Sequence, residues 1–286
     1  MYGGSVVSPK RHRERRGGAE KKSKLNQYLV VACIVSLSPS FAAAQTKTDD
    51  KKFLDDTRSA YSMLRRQGLT EINATVIPNW QLILSAVPAD RKPEAVKLAS
   101  KLRFSLFADS SGKVQVKHRV VGPKLTGRQV EALKTIASGV ELSVTGFLMS
   151  WVPFMMTHVI PDKLDQFVLQ NLKDEYLLTY QEGGIDIAVL ISKDFVITEL
   201  RTVQGGVKPL LTRTRDGFVL TGYEGINENP VVGKVVLKAK IESAPVAGML
   251  LPKSVSLEGS AANTPINIKF SFTNYRLKTS AVVQSK

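Results

Sequence analysis

Hydrophobic positions along this chain keep a helical period at first, change to a period of two, return to a long helical stretch, then alternate almost to the end. After a polar lead-in at 46–50, Phe53, Ala60, Tyr61 and Leu64 recur at spacings near one helical turn, with Gly68 placed as a stop. An amphipathic helix with one apolar stripe is therefore expected. Residues 71–76 alternate through Ile72, Ala74 and Val76 and read as a short strand ended by Pro78. A short helix or turn follows over 80–86, and Ala95, Val96, Leu98, Ala99 and Leu102 give 93–102 a helical face. Leu102, Phe104 and Leu106 then alternate with polar residues. The turn Asp109-Ser110-Ser111-Gly112 joins them to Val114, Val116 and His118 as a hairpin.

Thr126 opens the longest helical pattern. Gln129 stands three residues later, as a capping box requires. Val130, Leu133, Ile136, Ala137, Val140, Val144, Phe147, Leu148 and Trp151 carry the apolar stripe to about Pro153. From Phe147 to Ile160 the segment is apolar on nearly all sides, which predicts burial. Glu141, Pro153 and His158 argue against a membrane span there. From Lys173 onward strands are expected at 175–181, 186–192, 195–203, 210–215, 217–222, 234–243, 251–258 and 266–277. Gly183-Gly184, Gly205-Gly206, Asp216-Gly217 and the 227–230 segment supply turn signals between them. Ile185/Ile187/Val189/Ile191 and Ile266/Ile268/Phe270/Phe272 place apolar residues on one face only. Such a meander needs one antiparallel sheet whose apolar face is covered. The segment at about 126–158 is the natural cover. The fold class expected is α+β: a strongly curved antiparallel sheet covered by helices, in one β-rich domain over 45–286.

The first 44 residues change the reading of charge and compartment. Lys21, Lys22 and Lys24 precede an apolar run from Tyr28 to Leu37. Pro39 and Ala42-Ala43-Ala44 follow, as in a signal peptide cut between Ala44 and Gln45. An uncleaved anchor and a lipoprotein cut before Cys33 are the competing readings. The prefix 1–20 is long for a basic start and is compatible with a misplaced translation start. A periplasmic or secreted protein is expected. The net charge is +15; eight basic and two acidic residues put +6 on 1–44 and leave +9, scattered, on the rest. A scattered charge is a solvated surface, so no nucleic-acid partner is expected, while an anionic membrane surface is compatible. Cys33 is the sole cysteine, so the exported form would carry no thiol chemistry.

Catalytic signatures are missing. His118 and His158 have no metal-ligand spacing, and there is no H-E-x-x-H, phosphate loop or G-x-S-x-G. No catalytic residue, metal or cofactor is assigned. A hydrolase would need a polar cleft gathering Asp186, Glu182, His118 or His158. Asn73-Ala74-Thr75 is a glycosylation sequon, meaningful only in a eukaryotic host. The most unusual feature is the Met/aromatic cluster Phe147, Trp151, Phe154, Met155 and Met156. Such side chains pack cores, and they also line adaptable apolar pockets. These five are the candidate ligand-binding residues.

The order of signal peptide, amphipathic helix, hairpin, helical cover and antiparallel strands resembles the LolA-like family of periplasmic lipoprotein carriers. The closing segment adds to this. Leu251-Pro252-Lys253-Ser254-Val255-Ser256-Leu257, a polar turn and Ile266–Tyr275 look like that family's last two strands, with an L-P-x-x-[IV] start and an N-Y-x-[IL] ending. The resemblance implies an incomplete β-barrel lidded by helices around a cavity for lipid chains. On this reading the protein is a non-enzymatic, monomeric carrier of a lipid or lipoprotein acyl chain. The alternative is an envelope structural or interaction protein with a packed interior.

Overall fold

The computed structural model describes residues 48–61, 63–123, 125–164, 166–203, 205–229, 233–261 and 264–280. The expected signal segment and its cleavage point lie outside these residues. The described part belongs to one compact unit. In chain order it contains α1 (Thr48–Ser59), α2 (Met63–Arg66), β1 (Leu69–Pro78), α3 (Trp80–Ile83), α4 (Lys92–Ala99), β2 (Leu102–Asp109), β3 (Val114–Val120) and α5 (Gly127–Met155). The strands β4 (Phe167–Asn171), β5 (Glu175–Glu182), β6 (Ile185–Ser192), β7 (Ile197–Thr202), β8 (Gly205–Thr214), β9 (Gly217–Asn229), β10 (Gly233–Val246), β11 (Met249–Ala261) and β12 (Thr264–Thr279) follow.

All twelve strands form one open antiparallel sheet, ordered β3-β2-β1-β12-β11-β10-β9-β8-β7-β6-β5-β4. The α+β class holds, but helix cover is the smaller part: α5 is the one long helix among those described. The order gives α5 its place. β3 is one edge and β4 the other, so the chain joining them must travel from edge to edge. Helix α5 does so over the apolar face and packs on β2, β3 and β9. It is long and apolar enough to cross a membrane by composition, yet its apolar stripe is buried against the sheet.

Alternation along each strand sorts side chains to the two faces. On the helix side Ile72 stands opposite Ala108, Ala74 opposite Leu106 and Val76 opposite Phe104. Val76 also faces Phe272, and Phe270 faces Val255. Phe147 of α5 meets Phe270 and Phe272 at ring distances of 5.9 and 5.8 Å. Thr126 caps α5 as expected: its Oγ1 accepts from the Gln129 amide at 3.4 Å, and the Gln129 side chain accepts from the Thr126 amide at 3.1 Å.

Several expectations are corrected. The first helix is broken after Ser59, and the break docks on the sheet. There the Ala60 carbonyl accepts from the Phe218 amide at 2.9 Å. The Tyr61 hydroxyl accepts from the Ile197 amide at 2.7 Å and donates to the Phe195 carbonyl at 3.2 Å. Strand β4 was not expected, because its five residues are too few to show a period. Phe195 lies in a turn with φ 64°, so β7 begins two residues later than its pattern suggests. Gly183 and Gly184 do form a turn, but Gly205 and Gly206 open β8 and pair with Asn227 and Ile226. A Cβ at Gly205 would stand 2.2 Å from the Ile226 carbonyl oxygen, so a close backbone approach, and not a turn, requires glycine there. Asn227 correspondingly lies inside β9.

Candidate functional site

The five residues expected to bind ligand are all brought together under α5, and all are buried: Phe147, Trp151, Phe154, Met155 and Met156 are 5 % exposed or less. Phe147 and Trp151 rings lie 6.5 Å apart, and Phe154 meets Tyr61 edge-on at 5.9 Å. The space beside Trp151, walled by Ile72, Leu106, Ala108, Leu148, Phe272 and Tyr275, holds about 10 Å³. That is about the room one water needs, against ~300–1,000 Å³ for a small-molecule pocket. The cluster fills a core in this state.

The residues considered for hydrolysis are not gathered. Nδ1 of His118 on β3 lies 2.8 Å from the Glu141 carboxylate on α5. Nε2 of His158, just past α5, lies 3.2 Å from Asp162. Asp186 accepts from the Gln181 side chain at 2.7 Å, and Glu182 is exposed at the end of β5. Strands β5 and β6 lie toward the sheet edge opposite to β3. His118 and Glu141 are 23 residues apart and leave no local trace of their contact, whereas His158 and Asp162 stand at i and i+4. Burial holds the His158 pKa below its usual value; Asp162 opposes that shift, and Arg65 and Arg58 add to it. Among the described residues no group of three His, Cys, Asp or Glu side chains could hold a metal.

A larger concavity lies on the other face of the sheet. Strands β12, β1, β2 and β3 turn a groove of about 660 Å³ away from the helix. Cross-strand register arranges its side chains in two transverse rows. Arg276, Asn73, Phe107 and Gln115 form one, each opposite the next. Thr75, Ser105 and Lys117 form the other; on β12 Thr273 pairs with Thr75, and Asn274 lines the groove beside it. A bulge puts Asn274 there: the β1–β12 register slips between Asn73 and Thr75, and β12 spends one extra residue. Asn274 takes φ 53° and its side-chain Nδ2 donates to Thr75 Oγ1 at 3.5 Å. Its neighbour Tyr275 turns to the helix side and donates to the Pro252 carbonyl. The groove carries two cations and no carboxylate. The nearest acid on this face, Glu71, is paired with Lys278 at 2.7 Å. Asp109 is turned into its own loop, bonded to Ser111 and Lys113.

The sequence reading passed over this groove. Asn73 and Thr75 figure in the sequence only as a glycosylation sequon, and Lys117 belongs to no motif. The signal available was the polar half of each alternating strand; the pairing of β1 with β12, 200 residues away, was not. Comparison with protein-family models, with curated proteins and with solved structures finds no match to this chain.

Proposed function

We propose that this chain is an exported, non-enzymatic binding protein of the cell envelope, with a closed interior and partners that meet its surface. The observation that carries this reading is the burial of Phe147, Trp151, Phe154, Met155 and Met156, all 5 % exposed or less, with ~10 Å³ left beside Trp151. Export rests on the signal-like segment 21–44. In this reading the sheet is strongly curved, an incomplete barrel wrapped on α5. Glu141 touches β3, and Ser150 bonds Tyr223 of β9. These helix residues lie ~13 Å apart along the axis. Strands β3 and β9 are six spacings apart, ~29 Å along the sheet. Curvature brings both to one helix. Gly222 and Gly259 support it, since a Cβ at either would sit 2.3 and 2.0 Å from a neighbouring strand's carbonyl oxygen. That shape agrees with the LolA-like resemblance.

Native mass spectrometry of the mildly extracted protein tests the proposal. The expected species is a bare chain beginning at Gln45. A co-purifying acyl species overturns the closed-interior reading, and a chain retaining Tyr28 overturns cleavage at Ala44.

A second reading, carriage of a lipid or lipoprotein acyl chain, has one observation in its favour. Toward one end of the long strands the helix-side face continues with Val207, Leu237, Ile266 and Ile268, all half-buried. An apolar wall thus stays partly open, and a lipid chain settling there would displace part of α5 to go deeper. Saturable binding of a fluorescent fatty acid that Leu237→Asn weakens would favour the carrier.

A further inference from the structure

The groove on the face opposite α5 is a distinct chemical surface. Its walls are side-chain amides (Asn73, Asn274), hydroxyls (Thr75, Ser105) and the half-buried ring of Phe107. Its cations stand at diagonal corners: Arg276 closes one row on β12, and Lys117 closes the other on β3. Three strand spacings and one row separate them, ~16 Å at the backbone, and their long side chains can lean inward. Amides and hydroxyls bond to neutral hydroxyl groups as donor and acceptor together. An aromatic ring offers a flat apolar surface to the C–H face of a sugar. The cations select for negative charge at two points. The next transverse row along β2 and β3 is basic too: Arg103 and Arg119 stand directly opposite each other on this same face. Like charges placed so are unfavourable without a counter-charge. Arg103 folds back to donate to the Ser100 and Leu102 carbonyls.

We propose that this groove binds an anionic saccharide: a short glycan with carboxylate or phosphate groups a few sugar residues apart, held by Arg276 and Lys117 at its ends. A small inorganic anion would engage one cation and leave the amide and hydroxyl walls unused. The proposal deepens the surface-binding reading. A retained acyl chain would defeat that reading and leave the groove untouched, whereas failed saccharide binding defeats the groove alone.

Isothermal titration calorimetry of the full exported chain decides it, with trigalacturonate and trimannuronate as anionic probes. Maltotriose and inorganic phosphate serve as the neutral and sugar-free controls. At least one anionic sugar is expected to bind, with both controls about tenfold weaker or worse. The pair Lys117→Met with Arg276→Met is expected to lower that affinity about tenfold or more. The pair Lys97→Met with Lys134→Met, two exposed helix positions, removes the same charge and is expected to leave it unchanged. Melting curves confirm that both double variants fold. No binding of either anionic sugar overturns the proposal. So does equal loss in the two double variants, which would reduce the effect to net charge. Phosphate binding as tight as the sugars, or binding confined to vesicles of equal parts phosphatidylglycerol and phosphatidylcholine, overturns it in favour of a bare anion or a membrane.

Discussion

The two faces of strands β1, β2, β3 and β12 are built from adjacent residues and do opposite things. Ile72, Ala74, Val76, Phe104 and Leu106 close against α5 and leave ~10 Å³ beside Trp151. Asn73, Thr75, Ser105 and Phe107, the residues between them, face a groove of about 660 Å³. The same backbone and register serve both. What differs is the side-chain inventory and what lies over each face. An apolar face under a helix gains by excluding every void, because an unfilled cavity costs dispersion contacts and transfer energy. A polar face in water has no such pressure, and its side chains can stand apart around a concavity. The Met/aromatic cluster is prominent in the sequence, yet in the structure it is buried, with ~10 Å³ beside Trp151.

That contrast can be broken or sharpened by substitution. The largest effect should come from the closed side. Trp151→Ala removes a fully buried ring near the C-terminal end of α5 and should cost about 3–5 kcal/mol. Thermal unfolding should then shift down by roughly ten degrees. A shift of a degree or two would mean that the interior can collapse or is already loose. Tyr61→Phe comes next. It deprives the buried Ile197 amide of its acceptor, at a cost of about 1–3 kcal/mol in urea unfolding. An unchanged midpoint would show that the docked break between α1 and α2 contributes little.

The third effect is a pH dependence. Because the His158 pKa is lowered in the folded chain, the folded state holds the neutral imidazole more tightly than the unfolded one does. The associated stability is complete above the unfolded value near pH ~6.5 and declines as pH falls below it. His158→Gln should reduce the drop in melting temperature between about pH 7.5 and pH 5.5. An equal drop in both proteins would assign the acid sensitivity elsewhere. The smallest effect should be on the open side. Lys117→Met with Arg276→Met touches no core contact and should change stability by no more than ~0.5 kcal/mol. A large loss of stability would mean that the groove is structural and not a surface awaiting a partner.

The sequence exposed what is local. The capping box at Thr126 and Gln129, the alternation of Ile185 to Ile191 and the Gly183-Gly184 turn are set by residues close in the chain, and each appears in the structure. It missed what depends on distant partners. Gly205 looks like a turn residue until Ile226 is seen against it. Strand β4 is defined by its pairing with β5 more than by its own pattern. The candidate site divides the same way. The apolar cluster was readable because helical spacing puts its members on neighbouring turns, but its filled interior was not. The groove depends on β1 meeting β12 and on a bulge at Asn274, and neither leaves a periodic trace.

The central claim is that the space under α5 is shut, and Trp151 itself can report on it. The chain has two tryptophans, Trp80 and Trp151, so Trp80→Phe leaves Trp151 as the only indole. Its fluorescence should be measured during titration with a fatty acid brominated along its chain, whose heavy atoms quench only on close approach. Emission that stays unquenched to probe saturation is the expected result. Saturable quenching, matched by a non-brominated chain that competes it away, would place an acyl chain against Trp151 and contradict the closed interior.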